Sequence, residues 1–278
     1  MTGNRWLALF VLTTPLAMPA YGQLLNAMQS SKSALTNGVL TGIGTFGTPR
    51  KPFAVVTGAP YSAEAVSQFV ETLQGGAQIT RTGFSRKIYR DGLGRTRVEQ
   101  FRNNVPQPTP SQNPLPPGPL LVEIDDPVAR VFYVLDTQRK IAHRGALPIS
   151  ADPPPAPTDA DDAMLAGVNP QAPGQALLTF ADLGSQMVGG VVAQGRRVTA
   201  TWPAGARGND RPIVATAEIW RSPNLKVIVL AKASKPLVGD QTNQLANLDT
   251  NPPDATLFQP PVDYQVVDEP GTFTIAYP

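Results

Sequence analysis

From about residue 60 onward, apolar positions recur mostly in alternation and are interrupted every several residues by Gly, Pro, Asn or Asp, the punctuation of a β chain. The run Ala65 to Leu73 fits both periods, because Val66, Phe69, Val70 and Leu73 also share a helical face. The next residues decide for a strand: Gln74-Gly75-Gly76 is a hairpin turn, and Ile79 to Arg90 is rich in Thr, Ile, Phe and Tyr. Ile79 lies on one parity of that second run while Phe84 and Ile88 lie on the other. Gly83 stands at the switch, so a β-bulge is expected there. Asp91-Gly92-Leu93-Gly94 turns the chain into Arg95 to Arg102, giving three antiparallel strands.

Further hairpin arms run from Leu121 to Ile124 and from Val131 to Leu135 about the turn Asp125-Asp126-Pro127, and then from Lys140 to Arg144. The last hundred residues read as a meander. Ser185 to Trp202 is one long strand or a strand bent at Gly189-Gly190, and Ile213 to Arg221, Leu225 to Lys232 and Gly239 to Leu248 come after it. Val227 to Ala231 is apolar on both parities, which predicts a central strand covered on both faces. Short turns between successive strands make the sheet antiparallel.

Two stretches break the pattern. Residues 105–119 and 148–173 each hold seven prolines, which excludes them from a sheet interior, and the second adds Asp152, Asp159, Asp161 and Asp162. Both are expected as long loops, the second as an extended, solvated crossover. Residues 23–50 read as a flexible lead-in, 51–268 as one β domain and 269–278 as a tail.

The first 22 residues combine Arg5, an apolar run from Trp6 to Leu12 and the site Ala20-Tyr21-Gly22, the order of a cleaved secretory signal. The apolar run is far shorter than the ~20 residues a membrane-spanning helix needs. The absence of cysteine excludes disulfides, thiolate chemistry and a lipid-attachment cysteine. The expectation is a soluble periplasmic or secreted protein with no transmembrane span in the mature chain.

Charge is nearly balanced, with 23 Lys and Arg against 21 Asp and Glu. One stretch is not: Arg81, Arg86, Lys87, Arg90, Arg95, Arg97 and Arg102 face only Asp91 and Glu99. The stripe reads as the solvent-facing teeth of two strands, in preference to an anion-binding patch, and no aromatic-basic nucleic-acid module accompanies it. His143 is the only histidine; a serine-hydrolase triad or a His-rich metal site needs partners that it cannot supply alone, and it reads as a structural or polar-face residue. The Asp159, Asp161 and Asp162 cluster lacks the Gly and distal Glu of an EF-hand loop. No catalytic constellation, metal site or cofactor motif emerges, so no enzyme is expected. The remaining candidates are aromatic residues on strands. Phe84, Phe101, Phe132, Trp202 and Trp220 would line an apolar ligand site if the sheet curls, and otherwise fill the core.

Several segments carry a resemblance. Tyr89 to Arg97, Asp126-Pro127 leading to Phe132-Tyr133-Val134-Leu135-Asp136, Trp202 to Gly205 with Gly208 to Ile213, Glu218 to Ser222 and Pro253 to Pro261 resemble a group of exported bacterial proteins. The element order and ending are similar to LolA-type lipoprotein carriers and to the amino-terminal domain of RseB-type sigma-factor regulators. The resemblance implies a curved antiparallel half-barrel with an apolar interior for acyl chains, and partners among lipids, lipoproteins or envelope proteins. This chain departs from it by lacking long helices and by inserting the two proline-rich loops. The expected fold class is mainly β, a curved LolA-like sheet with few short helices. The expected function is that of an exported binding module for lipid or lipoprotein, or alternatively of an envelope signalling or structural interaction protein.

Overall fold

A computed structural model describes residues 32–36, 39–47, 50, 52–82, 86–101, 118–168, 176–236 and 239–277. The expected leader with its expected cleavage site, Gly83, Phe84 and most of the loop 105–119 lie outside the described residues.

In chain order the strands are β1 (Lys32–Thr36), β2 (Val39–Phe46), β3 (Tyr61–Thr72), β4 (Gln78–Thr82), β5 (Arg86–Arg90), β6 (Thr96–Gln100), β7 (Leu121–Asp126), β8 (Val131–Asp136) and β9 (Ile141–Ala146). A short helix, α1 (Asp159–Leu165), precedes β10 (Leu177–Val188), β11 (Val191–Trp202), β12 (Ile213–Ser222), β13 (Val227–Lys235) and β14 (Gly239–Asp249). A 3₁₀ turn (Ala255–Phe258), β15 (Gln265–Asp268) and β16 (Phe273–Tyr277) complete the chain. One sheet runs β10-β11-β12-β13-β14-β3-β5-β6-β7-β8-β9-β15, with β4 also on β3, and it does not close. Every pair in it is antiparallel except β15 on β9. A second sheet has the order β1-β2-β16. The mainly β, antiparallel expectation is met.

The bulge expected at Gly83 lies outside the described residues; to either side of it Gln68 pairs with Thr82 and Ala65 with Arg86. Val227 to Ala231 lies in β13, between β12 and β14, as expected of a central strand.

The sheet curls. Gly189 and Gly190, at φ 58° and 86°, form the tight turn joining β10 to β11, a geometry that favours glycine. A Cβ on Gly189 would lie 3.9 Å from Leu248 Cβ on β14. In a flat sheet β11 and β14 stand about 14 Å apart, three strand spacings. At the bend, Tyr61, Ala63 and Ile88 pack with Ala193, Trp220, Leu225, Val227, Val229 and Leu245. Residues 185–202 are thus a hairpin; two adjacent positive-φ residues reverse a strand where a single kink would bend it.

The half from β5 to β9 is covered on both faces. On one, Leu121, Phe132 and Val134 pack under Phe46, Phe53, Leu147 and Ile275 of the flanking segments and the second sheet. On the other, Val122, Ile124, Leu135 and Ala142 pack under Phe258, Leu257 and Tyr264. The segment after β14 therefore straps both faces. Part of the expected tail, 273–277, is β16, because Phe273 and Ile275 pack into the core and pair with β2. Within the expected lead-in, 32–36 and 39–46 are likewise strands.

The basic stripe corrects another expectation. Arg86, Arg90 and Arg97 are buried, not solvent-facing. Arg90, 2% exposed, donates from Nε to the Ala59 carbonyl at 2.9 Å and from Nη2 to the Leu225 carbonyl at 2.5 Å, and lies over the Tyr61 ring. Arg97 donates to Glu99 and to the Leu257 carbonyl, and Arg95 pairs with Asp91 above Phe258. These guanidiniums bind the straps to the sheet, each trading water for carbonyl or carboxylate acceptors.

Candidate functional site

The half from β10 to β13 is built differently. Direct pairings place Phe180, Val198, Ala217 and Ala233 in one row and Leu178, Ala200 and Ala215 in the next, on a common face. Trp202 continues that face two residues beyond Ala200 on β11.

The element covering this face is α1, in the segment expected as a solvated crossover. Thr158 starts it with a capping box: its side chain accepts from the Asp161 N–H, while Asp161 accepts from the Thr158 N–H at 2.8 Å. Three acidic residues in the first turn suit the helix dipole. Asp162, 1% exposed, accepts from Arg196 Nη1 at 3.0 Å and from Arg221 Nη2, while Arg196 Nη2 reaches Asp159 at 2.6 Å. The acidic trio is thus a cap and a clamp. Among the described residues no group of three or more metal-ligating side chains converges.

The far end of α1 rests on small groups. Ala163 and Val168 pack with Ala200, Trp202 and Ala215, and Ala166 packs with Val198, Ala217 and Ile219. Trp202 is 4% exposed, and its buried Nε1–H has no hydrogen-bond acceptor among the described residues. The Arg207 guanidinium covers its ring at 4.1 Å. Asn209 shapes that loop, donating to the carbonyls of Pro203 and Arg211 and accepting from the Arg207 N–H. The Trp202-to-Ile213 motif thereby holds an arginine against an indole.

Lys235 lies on the same face, two residues beyond Ala233, and is partly buried. A Cβ on Gly167 would sit 3.1 Å from its Nζ, and Val168, the next residue, belongs to the same core cluster as Trp202. Burial lowers the Lys235 pKa below the ordinary lysine value. The site thus offers an indole N–H and an ammonium at the C-terminal end of α1, with apolar walls below.

The other expected aromatic contacts are dispersed. Phe132 is fully buried between the Arg50 guanidinium, 3.9 Å from its ring centre, and Gly145, where a Cβ would collide with the ring. Arg50 in turn pairs with Asp125 at 2.5 Å and Glu123 at 3.3 Å. Trp220 lies flat on Gly195, its direct partner across the ladder, in the bend cluster. Phe101 is half-buried, with Lys87 Nζ 5.6 Å from its ring centre. Phe132, Trp202 and Trp220 belong to three separate clusters, and only Trp202 adjoins an unmatched polar group. His143 is a structural residue: its Nδ1 is 2.7 Å from Glu269 and its ring stacks on Phe273 at 4.7 Å. Sequence reasoning missed Lys235 and the Asp162 clamp. The Thr158-x-x-Asp161 pattern was the available signal for the helix.

No protein-family model matches the chain, and no curated protein matches it. Among solved structures, the MucA/MucB complex of Pseudomonas aeruginosa aligns at TM-score 0.36 and 12% identity over 76% of this chain and 58% of that one. A LolA superfamily protein from Nitrosomonas europaea aligns at TM-score 0.27 and 8% identity, covering 74% and 92% of the two chains. The lipoprotein LppX of Mycobacterium tuberculosis aligns at TM-score 0.26 and 14% identity, covering 71% and 90%. The weak likeness to LolA-type and RseB-type proteins is thus met again in the structure neighbours, at a level that carries neither function nor partner to this chain. The chain spans little more than half of MucB.

Proposed function

We propose that this chain is an exported binding module for an amphiphile, held between α1 and the β10–β13 face with its polar head at Trp202. The observation that carries the reading is the Trp202 Nε1–H, buried in an apolar nest without an acceptor. An unsatisfied buried donor costs about 1–3 kcal/mol, and a ligand oxygen would relieve that penalty. The covering element suits access. Asp162 clamps the start of α1, and its far end packs in clusters with Ala200, Ala215 and Ala217 beside Trp202, Val198 and Ile219, so lifting that end would open an apolar face. A leader for export and the exclusion of thiol chemistry agree with a carrier working outside the cytoplasm.

The second reading, an envelope docking module, is favoured by β10. This strand has twelve residues, stands at the end of the sheet and exposes Leu177 and Met187. Such an edge is a template for an added strand.

Native mass spectrometry of the full chain purified from an exporting host tests the first reading. Wild type should carry a co-purifying amphiphile that organic extraction removes. Trp202→Phe, which keeps the ring and loses the N–H, should bind dodecyl-chain probes about tenfold more weakly, the loss of one hydrogen bond. Failure of both proteins to bind any amphiphile would overturn the reading.

A further inference from the structure

We infer that the head-group end of this site selects an anionic amphiphile, a carboxylate or phosphate on an aliphatic body, through Lys235. The inference rests on the reading of the Trp202 site and adds the charge of its ligand.

The placement of Lys235 carries it. The registers put Lys235 and Trp202 on one face: Val198 pairs with Ala217 and Ala217 with Ala233, and the two residues lie an even number of positions beyond Val198 and Ala233. Both are brought to the C-terminal end of α1: Lys235 lies against Gly167, and Val168, the next residue, shares a core cluster with Trp202. A partly buried ammonium ordinarily has a carboxylate beside it. Among the described residues Lys235 has neither an ion pair nor a hydrogen bond, and burial alone displaces its pKa.

The surrounding charges are engaged or turned away. On α1, Asp159 and Asp162 are held by Arg196 and Arg221, and Asp161 caps Thr158. On β12, Glu218 is paired with Arg197 across the ladder from Lys232, on the opposite parity from Ala217. On β14, the residue opposite Lys235 is Gly239, which has no side chain, and Asp240 pairs with Ser234 on the other parity. An uncompensated cation and an uncompensated N–H donor beside apolar walls match one chemistry, an anionic head with oxygen acceptors on an aliphatic chain.

An alternative role for Lys235 is to complement the C-terminal end of α1. The two roles separate by ligand series. Isothermal titration calorimetry of the full chain at neutral pH would compare dodecanoate, dodecyl phosphate and dodecanol with wild type, Lys235→Arg and Lys235→Met. Wild type should bind at least one of the two anions about tenfold or more tighter than dodecanol. Lys235→Met should lose that preference, and Lys235→Arg should keep it. The tighter anion tells a carboxylate site from a phosphate site. Equal binding of dodecanol and both anions by wild type would overturn this inference and leave the amphiphile reading standing, as would an undiminished preference in Lys235→Met. Absence of binding by all three would overturn both.

Discussion

The two halves of the sheet handle buried charge and aromatic rings in opposite ways. In the β5–β9 half, both faces are covered, and three arginines packed there have acceptors: Arg90 on Ala59 and Leu225, Arg97 on Glu99 and Leu257, Arg50 on Asp125 and Glu123. Phe132 is closed between Arg50 and Gly145. In the β10–β13 half, the face bearing Trp202 is covered by a seven-residue helix, and among the described residues an indole N–H and an ammonium go unmatched at its end. Buried polar groups are rarely left without partners where stability alone is at stake. On the reading proposed above, the difference separates a half that holds the fold from a half available to a ligand.

The largest expected effect breaks the first half. Phe132→Ala should destabilise the protein by about 3–5 kcal/mol, read as a shift of the urea midpoint, because Gly145 and Arg50 both lose the ring they pack on. A change below about 1 kcal/mol would deny that this half is the stability core.

Next is Asp162→Ala, which leaves Arg196 and Arg221 facing each other without their shared carboxylate. Breaking a buried pair costs about 3–5 kcal/mol, and here the loss should fall mainly on α1. Hydrogen exchange should speed up across residues 159–168 while β7 and β8 keep their protection. Uniform loss of protection would mean that the two halves are one cooperative unit.

The smallest effect is a pH dependence in the first half. Burial holds the Glu123 carboxyl above its ordinary value of 4.5, against the opposing pull of Arg50. Between the ordinary and the raised value the folded state binds more protons than the unfolded, so stability falls as pH rises through that window. Glu123→Gln should flatten this slope and be more stable than wild type at neutral pH, with the advantage fading as pH falls to 4.5. A slope unchanged in the variant would move the effect to another group. Thermal melts across that range make the comparison.

The strand order of the chain was legible because alternation and turn residues are local signals. The central position of β13 and the turns at Asp91 and Asp136 derive from neighbours in sequence. The fate of the arginines was not legible. Arg90 finds its acceptors 31 and 135 residues away and Arg97 finds one 160 residues away, and strand parity cannot say what covers a face. The same gap hid the site. Aromatic residues on strands look alike whether they fill a core or line a ligand, and Trp202 is set apart from Phe132 by a hydrogen bond it does not make. The helix α1 was masked by its prolines, although Thr158 and Asp161 carried its cap.

The most direct test of the amphiphile site is the indole N–H resonance of Trp202 in ¹H–¹⁵N spectra of the full chain, assigned by its loss in Trp202→Phe. Without ligand it should sit at the upfield position of an N–H lacking an acceptor. On titration with dodecanoate or dodecyl phosphate it should move downfield and saturate with the binding isotherm, while the Trp220 indole, packed on Gly195, stays in place. A Trp202 resonance that is unmoved at saturating amphiphile, or already downfield in the free protein, would contradict the account.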